Sequence, residues 1–115
     1  MNSIKNSVRL IGNLGMNPDV KTFDTGKKMA RVSLATTEFS KDSNGNKQSE
    51  TSWHNLVLWG SQAEIAEKYL HKGKEVAVEG KLVTRSYIAK TGEKKYVTEI
   101  VVNEIVMLGG KQDRN

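Results

Sequence analysis

Residues 51–82 read TSWHNLVLWGSQAEIAEKYLHKGKEVAVEGKL, and this stretch contains the clearest structural signals of the chain. Its first part, Thr51–Trp59, combines apolar and aromatic residues in the manner of a strand. Ser61 and Glu64 then have the spacing of a capping box, which predicts that a helix of about three turns begins there. Lys72–Gly73 supplies a cationic last turn and a glycine stop.

Alternating apolar patterns on both sides of this segment predict four further strands. Gly80 falls inside the strand that follows the helix, where a glycine favours a bend. Ser40–Glu50 contains no hydrophobic residue, so we expect a solvated, mobile hairpin tip there. The four strands are Ser7–Leu14, Met29–Thr37, Lys74–Ile88 and Lys94 to about Leu108, with a short extended segment at Val20–Phe23.

Five strands with a single short helix between the third and the fourth are the order of an OB-fold, a small closed barrel. We therefore expect a mainly β chain with one five-stranded OB-fold domain over residues 1–110, followed by a short C-terminal remnant at 111–115. A different small barrel is the alternative. In an OB-fold the face of strands two and three and the flanking loops bind oligonucleotides or oligosaccharides.

The composition bounds the class of protein and of partner. A chain of 115 residues suits one core, and 18 Lys and Arg against 13 Asp and Glu favour a polyanionic partner if the charge is clustered. The absence of cysteine excludes disulfides, thiol catalysis and cysteine-ligated metal centres. No apolar stretch reaches the ~20 residues of a membrane span, and Met1–Ser7 lacks the apolar core of a signal peptide. We expect a cytoplasmic protein with no membrane partner.

The sequence lacks the residue patterns that carry chemistry. It has no glycine-rich phosphate loop, no Gly-x-Ser-x-Gly, no histidine pair at metal-ligand spacing and no cysteine nucleophile. His54 and His71 fall in different predicted elements, and the simpler interpretations are a structural or interface histidine and a charge at a helix end. We therefore expect no catalytic residue, no metal site and no cofactor, and so not an enzyme.

Four aromatic residues stand at strand and loop edges with lysine and arginine among them: Phe39, Trp53, Trp59 and Tyr87. Trp53 and Trp59 share one face of their strand, and a rise of ~3.3 Å per residue separates them by roughly 20 Å, which suits several bases of an extended strand. The alternative is that such large rings fill the core. Three other aromatics occupy positions that look structural, namely Phe23, Tyr69 and Tyr96.

Basic residues near these aromatics are candidates for phosphate contacts, the alternative being that they are simply solvated. Lys81 and Arg85 share the strand face of Tyr87. The other candidates flank the helix exit and the last hairpin, and they are Lys72, Lys74, Lys94 and Lys95.

Several motifs together carry a family resemblance: Gly12-Asn13-Leu14-Gly15 with Pro18, Ser33-Leu34-Ala35-Thr36, Trp53-His54, Tyr69-Leu70 with Lys72-Gly73, and Val78-Glu79-Gly80-Lys81-Leu82. From about Asn6 to Gly110 the chain resembles the bacterial single-stranded DNA-binding protein family. The resemblance implies an OB-fold that assembles as a homotetramer and wraps single-stranded DNA in replication, recombination and repair, in the cytoplasm at the nucleoid.

By motif position, the resemblance places the base-stacking residues of the family on Phe39, Trp53, Trp59 and Tyr87, and its oligomer-interface histidine on His54. Phe39 and Tyr87 stand where the best-known members have tryptophan, which would preserve stacking in a weaker form. Four further positions lack the basic residue that typical members often carry, which puts phosphate contacts there in question: Asn55, Ser61, Val83 and Ser86.

The family typically continues into an acidic C-terminal tip that recruits replication and repair enzymes, whereas this sequence stops at Asn115. Contact with those enzymes is therefore doubtful for the sequence as it stands, whether it is a short paralogue or a truncated chain.

Three rival functions stay open from the sequence. A primosome-type accessory protein would share the barrel and be a dimer, but its relatives should lack the full set of stacking aromatics. A protein-interaction module would use the apolar face of the third strand to bind a polypeptide, and its binding would respond little to salt. An RNA chaperone is the third, because stacking on a base does not itself distinguish the sugar.

Overall fold

The structure is a computed structural model and describes residues 4–109. A short 3-10 turn, Ile4–Asn6, precedes six strands and one helix. In chain order these are β1 (Val8–Leu14), β2 (Asp19–Thr22), β3 (Lys28–Lys41), β4 (Lys47–Trp59), α1 (Ser61–Tyr69), β5 (Glu75–Ile88) and β6 (Lys94–Met107). The strands lie in the order β1-β5-β6-β4-β3-β2.

A further pairing of β1 with β3 closes five of these strands into a barrel, with β2 added beside β3. The closing contact is short, pairing Asn13 with Ala35 and Leu14 with Leu34. The helix joins β4 to β5, so it lies between the third and fourth of the five barrel strands. The predicted mainly β, five-stranded OB-fold with one intervening helix is confirmed. The predicted remnant at residues 111–115 lies outside the described residues.

The core is built from one side of each strand, as expected from the alternation of side chains along a strand. Its largest fully buried side chains are Leu34, Leu56, Leu58 and Val76. Two alanines of α1, Ala63 and Ala66, pack against the same cluster. Among the described residues, the buried members of this cluster are all aliphatic, and none is aromatic.

The hairpin between β3 and β4 corrects the prediction of a mobile tip at 40–50. The ladder continues to the pair of Lys41 with Lys47, so only residues 42–46 form the turn. The carboxylate of Asp42 holds this turn by accepting hydrogen bonds from the backbone N–H of Asn44 at 2.9 Å and of Asn46 at 2.8 Å. These bonds, led by that from Asn46, lower the pKa of Asp42. Polar residues can therefore extend the two strands, because the paired segment beyond the barrel is exposed on both sides and has no core to cover.

The start of α1 also differs from its prediction, because Ser61 is the first helical residue and not the cap. Gly60 occupies the N-cap position with φ of 57° and no side-chain cap hydrogen bond is made. The backbone N–H of Glu64 donates to the carbonyl of Gly60 at 3.0 Å. The capping box was wrong because the chain leaves β4 through a left-handed residue, and glycine adopts that conformation at little cost.

The bend predicted at Gly80 is confirmed as a β-bulge, since the β5–β6 register shifts between Glu79 and Gly80. After this point the two strands continue together to the pair of Ile88 with Lys94, and most of their side chains are exposed. Because β6 still pairs with β4 at Ile100 and Val101, the exposed two-stranded arm begins just after the bulge, beyond the pair of Leu82 with Ile100. Within residues 4–109 no helix is long and apolar enough to cross a membrane.

Candidate nucleic-acid interface

Strand register places four stretches of odd-numbered residues on one side of the sheet. Ala35 pairs with Trp53 in the antiparallel β3–β4 ladder, and Val57 pairs with Val101 in the parallel β4–β6 contact. Across β6, Tyr87 of β5 pairs with Lys95. Directly paired residues point to the same side of a sheet. We call this surface the outer sheet face, made by the odd-numbered residues of β3 and β4, of β6 up to Val101, and of β5 after Gly80.

The four predicted stacking residues all project from the outer sheet face. Their exposed fractions are 81% for Phe39, 62% for Trp53, 37% for Trp59 and 44% for Tyr87. The alternative that these rings fill the core is therefore wrong. Each ring presents apolar surface to solvent, as a stacking partner for a planar ligand must.

Phe23, at a position whose sequence pattern predicts a structural role, adds a fifth aromatic to this group. It lies in the turn after β2 and stacks on Trp59, with ring centroids 6.0 Å apart and planes 22° from parallel. The ammonium of Lys27 lies over Trp59, 5.1 Å from the ring centroid, and that of Lys21 lies over Phe23, 5.8 Å from its centroid. The sequence predicts the reversal at residues 24–27, but the pairing of Met29 with Trp59, which brings Phe23 to this ring, is shown only by the structure.

The other two aromatics taken to be structural are also exposed. Tyr69 ends α1, and Tyr96 pairs with Ser86, so Tyr96 projects from the side of β6 opposite to the outer sheet face. Neither belongs to the core cluster. Tyr96 is therefore an exposed ring that lies away from the four stacking candidates.

The six predicted basic residues occupy four different positions in the structure. Lys81, Arg85 and Lys95 lie on the outer sheet face, Lys95 paired with Tyr87, Arg85 two residues before it and Lys81 six residues before it. Lys94 lies on the opposite side, with its ammonium 5.9 Å from the Tyr96 centroid, and Lys72 is exposed at the helix exit.

Lys74 corrects the prediction of an exposed phosphate contact, since it is only 8% exposed. The chain at this point is bound into the barrel seam, where its carbonyl accepts a hydrogen bond from the N–H of Leu14 at 2.9 Å. Alternation alone could not show this, because the seam is formed by residues distant in sequence.

A buried carboxylate lies among the cations of the outer sheet face. Glu99 is 6% exposed and accepts hydrogen bonds from Arg85 Nε at 3.0 Å and Arg85 Nη2 at 3.3 Å, and another from Arg31 Nη1. These residues line a shallow depression together with Tyr87 and Asn55. Hydrogen bonds from Arg85 and then Arg31 lower the pKa of Glu99 against the opposing effect of burial, and Glu99 raises the pKa of Arg85.

Acid should therefore destabilise the fold partly through Glu99. A carboxylate whose pKa is lowered on folding contributes stability above its unfolded pKa, near 4.5, and this contribution is lost as pH falls through the lower folded value. At pH values below 4.5 we expect the thermal unfolding midpoint to decrease as the pH is lowered. In Glu99→Gln the midpoint should decrease less steeply with pH. Identical slopes in the two proteins, measured by circular dichroism at a series of pH values, would contradict this assignment.

Gly15 sets the position of the Trp53 ring. A Cβ atom added at Gly15 would lie 2.3 Å from Cζ3 and 2.9 Å from Cη2 of Trp53. The φ of Gly15 is not positive, so alanine fits its backbone. The glycine is needed for space, since the indole edge lies directly over it.

Gly15→Ala should therefore turn the Trp53 ring while leaving the barrel folded. We expect a changed near-ultraviolet circular dichroism spectrum and affinity for single-stranded DNA reduced by about 5-fold, the lower end of one stacked base. In a Trp53→Ala background the same change should have no further effect on affinity. An equal loss in both backgrounds would show that Gly15 does not act through Trp53.

His54 is half-buried, and its Nε2 lies 2.9 Å from Thr36 Oγ1, the side chain of the neighbouring strand. The described contact is thus within the chain, and the predicted interface role of His54 stays a prediction. A separate apolar surface lies across β1, β5 and β6, where Ile11 pairs with Ala77 and Ala77 with Val106. We call these three residues the β1 patch; Ile11 and Val106 are both exposed.

Comparisons with known proteins agree with this geometry. A model of the "Single-strand binding protein family" matches residues 5–108. A single-stranded DNA-binding protein of Xanthomonas axonopodis pv. citri is 50% identical over 92% of this chain and 59% of the relative. One from Xanthomonas campestris pv. campestris is also 50% identical, over 92% of this chain and 62% of the relative. The chain thus spans about three fifths of the length of these two curated relatives.

A solved structure described as the Plasmodium falciparum SSB complex with ssDNA has a TM-score of 0.80 and 37% identity to this chain. The match covers 94% of this chain and 97% of that one. The family model, the identities and the shared barrel agree with the resemblance carried by the motifs. The chain belongs to the single-strand binding protein family.

Proposed function

We propose that this protein binds single-stranded DNA without sequence preference and without a chemical step, by stacking bases on the outer sheet face and contacting phosphates beside them. The observation that carries the proposal is the projection of Phe39, Trp53, Trp59 and Tyr87 from one continuous face. In replication, recombination and repair, such binding would protect and organise unpaired strands.

Stacking accounts for both affinity and lack of specificity. One base on one aromatic ring is worth ~1–3 kcal/mol, and each base has a flat face, so several rings bind tightly while distinguishing sequence little. Paired bases in a duplex do not offer their faces, so an exposed-ring surface prefers the single strand. The solved Plasmodium falciparum relative, which is bound to ssDNA, supports the same ligand for this chain.

Phosphate contacts on this face are assigned to Arg85 and Lys95, which neighbour Tyr87, and to Lys81 further along β5. Lys72 and Lys94 could contact the strand only where it leaves the face, and Lys74 is left out because it is buried. A bacterial cytoplasmic location at the nucleoid accompanies this proposal.

The test is a titration of the protein with oligo(dT) of several tens of nucleotides, followed by quenching of tryptophan emission at about 50 and 200 mM salt. We expect strong quenching and affinity that falls with salt, with much weaker binding of duplex DNA of equal length. Competition with oligo(U) separates this function from that of an RNA chaperone. Absence of quenching and of any preference for the single strand would overturn the proposal and favour a protein-interaction module.

We also propose that the protein self-associates, as a homotetramer that uses the β1 patch and His54. Exposed apolar side chains on a sheet, here Ile11 and Val106, support an interface between copies. An ion pair between Arg9 Nε and Glu79 Oε2, 2.9 Å apart, borders the patch. Light scattering at micromolar concentration should give four chain masses for the unchanged protein and fewer for Ile11→Asp. A monomeric wild type would remove this proposal, and a dimer would favour the primosome-type alternative.

A further inference from the structure

We propose that Arg31, Glu99 and Arg85 form a phosphate site within the outer sheet face, in which both arginines contact the DNA backbone and Glu99 positions them. This inference rests on the proposed function. It adds Arg31 to the contacts assigned above and gives the buried carboxylate a role.

In each guanidinium, some nitrogens donate to Glu99 and the others do not. Arg31 uses Nη1 toward Glu99, and Arg85 uses Nε and Nη2. A guanidinium carries five N–H donors, so Nε and Nη2 of Arg31 and Nη1 of Arg85 retain donors with no acceptor among residues 4–109. Glu99 is buried, whereas both arginine side chains are partly exposed. The free donors therefore belong to the exposed part of the cluster.

The Arg31–Glu99–Arg85 cluster has a net charge of +1. Two guanidinium groups share one carboxylate, so the site is cationic even with every ion pair formed. In the same structure Arg9 forms an ion pair with Glu79, and Lys28 forms one with Glu67. Arginine suits a phosphate because its planar fork offers parallel N–H groups, and a phosphodiester is the anion that an unpaired DNA strand supplies at regular intervals.

The position of the cluster fits a strand that also stacks on the aromatics. Along β3, residue 31 lies between residue 29, paired with Trp59, and residue 35, paired with Trp53. Along β5, Arg85 lies two residues before Tyr87 on the same side. Phosphates of a strand whose bases stack on these rings would pass the two arginines. The depression lined by Arg31, Arg85 and Tyr87 gives room for such a unit.

The test compares Arg31→Met with the unchanged protein in the oligo(dT) titration across salt concentrations. One lost phosphate contact on a single strand reduces the slope of log affinity against log salt by about 0.7. We expect that reduction, with affinity lowered roughly 5- to 10-fold, the upper part of this range corresponding to 1.4 kcal/mol. Arg31→Gln is the second variant if the methionine disturbs folding, as monitored by thermal unfolding.

Lys28→Met is the control, because Lys28 is also a partly exposed, ion-paired cation of β3, but it lies on the side of the strand opposite to Arg31, where its ammonium contacts Glu67 of α1. Its salt slope and affinity should equal those of the unchanged protein. Equal, small losses of affinity for the Arg31 and Lys28 variants would mean that Arg31 contributes only general positive charge, and would overturn the inference.

The role of Glu99 is tested by making Arg31→Met in a Glu99→Gln background. If Glu99 positions Arg31, the arginine contributes less without it, so its removal should cost less affinity than in the unchanged protein. If Glu99 only neutralises Arg31, the loss should be larger, which would overturn the positioning role.

Failure of the inference and failure of the proposed function give different results. When the unchanged protein does not bind oligo(dT), the proposed function fails and the phosphate site with it. When the unchanged protein binds normally but Arg31→Met keeps its full affinity and slope, only the phosphate site is excluded.

Discussion

Trp53→Ala should weaken the binding of single-stranded DNA by roughly 5- to 150-fold, which corresponds to ~1–3 kcal/mol for one base on one ring. Trp53 is 62% exposed at the middle of the outer sheet face, opposite Ala35. Trp59 shares its ring surface with Phe23, so Trp59→Ala leaves an aromatic in place and should cost less. Fluorescence anisotropy of labelled oligo(dT) measures both variants, because it does not depend on tryptophan emission.

Tyr96→Ala is the matched control for Trp53→Ala. Tyr96 is 67% exposed, about as much as Trp53, but lies on the other side of the sheet. Both variants therefore lose one exposed aromatic ring, and they differ in the side of the sheet from which that ring is removed. Losses of equal size would mean that the outer sheet face is not the binding surface. Trp53→Phe should retain part of the affinity, since a smaller ring still stacks.

The fold was predictable because its signals are local. Alternation located the barrel strands, and a glycine in a long strand marked the bulge at Gly80. The extent of the β3–β4 hairpin was not predictable in this way, because residues 40–50 lack the hydrophobic pattern by which strands are recognised. Its turn is held instead by the side chain of Asp42, which is a contact of the folded chain.

The candidate site was only partly predictable for a related reason. Which side of a strand a ring takes follows from alternation, so Trp53 and Trp59 were placed together from the sequence. Arg31 and Glu99 come together only through pairing of β4 with β6, a parallel contact between strands more than forty residues apart. The burial of Lys74 depends in the same way on the barrel seam. The features that the sequence could not predict are thus those that depend on pairing between strands distant in the chain.

Gly12→Ala should destabilise the protein by about 3 kcal/mol or more, the upper range for adding a methyl group to a packed interior. An added Cβ would lie 2.1 Å from the carbonyl oxygen and 2.9 Å from the carbonyl carbon of Ala35. Both atoms are backbone, so relief requires β1 and β3 to separate where they close the barrel. We expect a thermal midpoint lower by on the order of 10–20 °C at equal protein concentration.

Gly45→Ala is the control, because Gly45 lies at the tip of the β3–β4 turn with no atom within 4 Å of its added Cβ. Its φ of 83° makes alanine unfavourable there by only about 1–2 kcal/mol. The two variants differ further in binding. Ala35 pairs with Trp53, so a Gly12→Ala protein that still folds must move the strand that supports this ring and should bind single-stranded DNA more weakly. Equal thermal midpoints and unchanged affinity would show that the barrel closes without the close approach at Gly12.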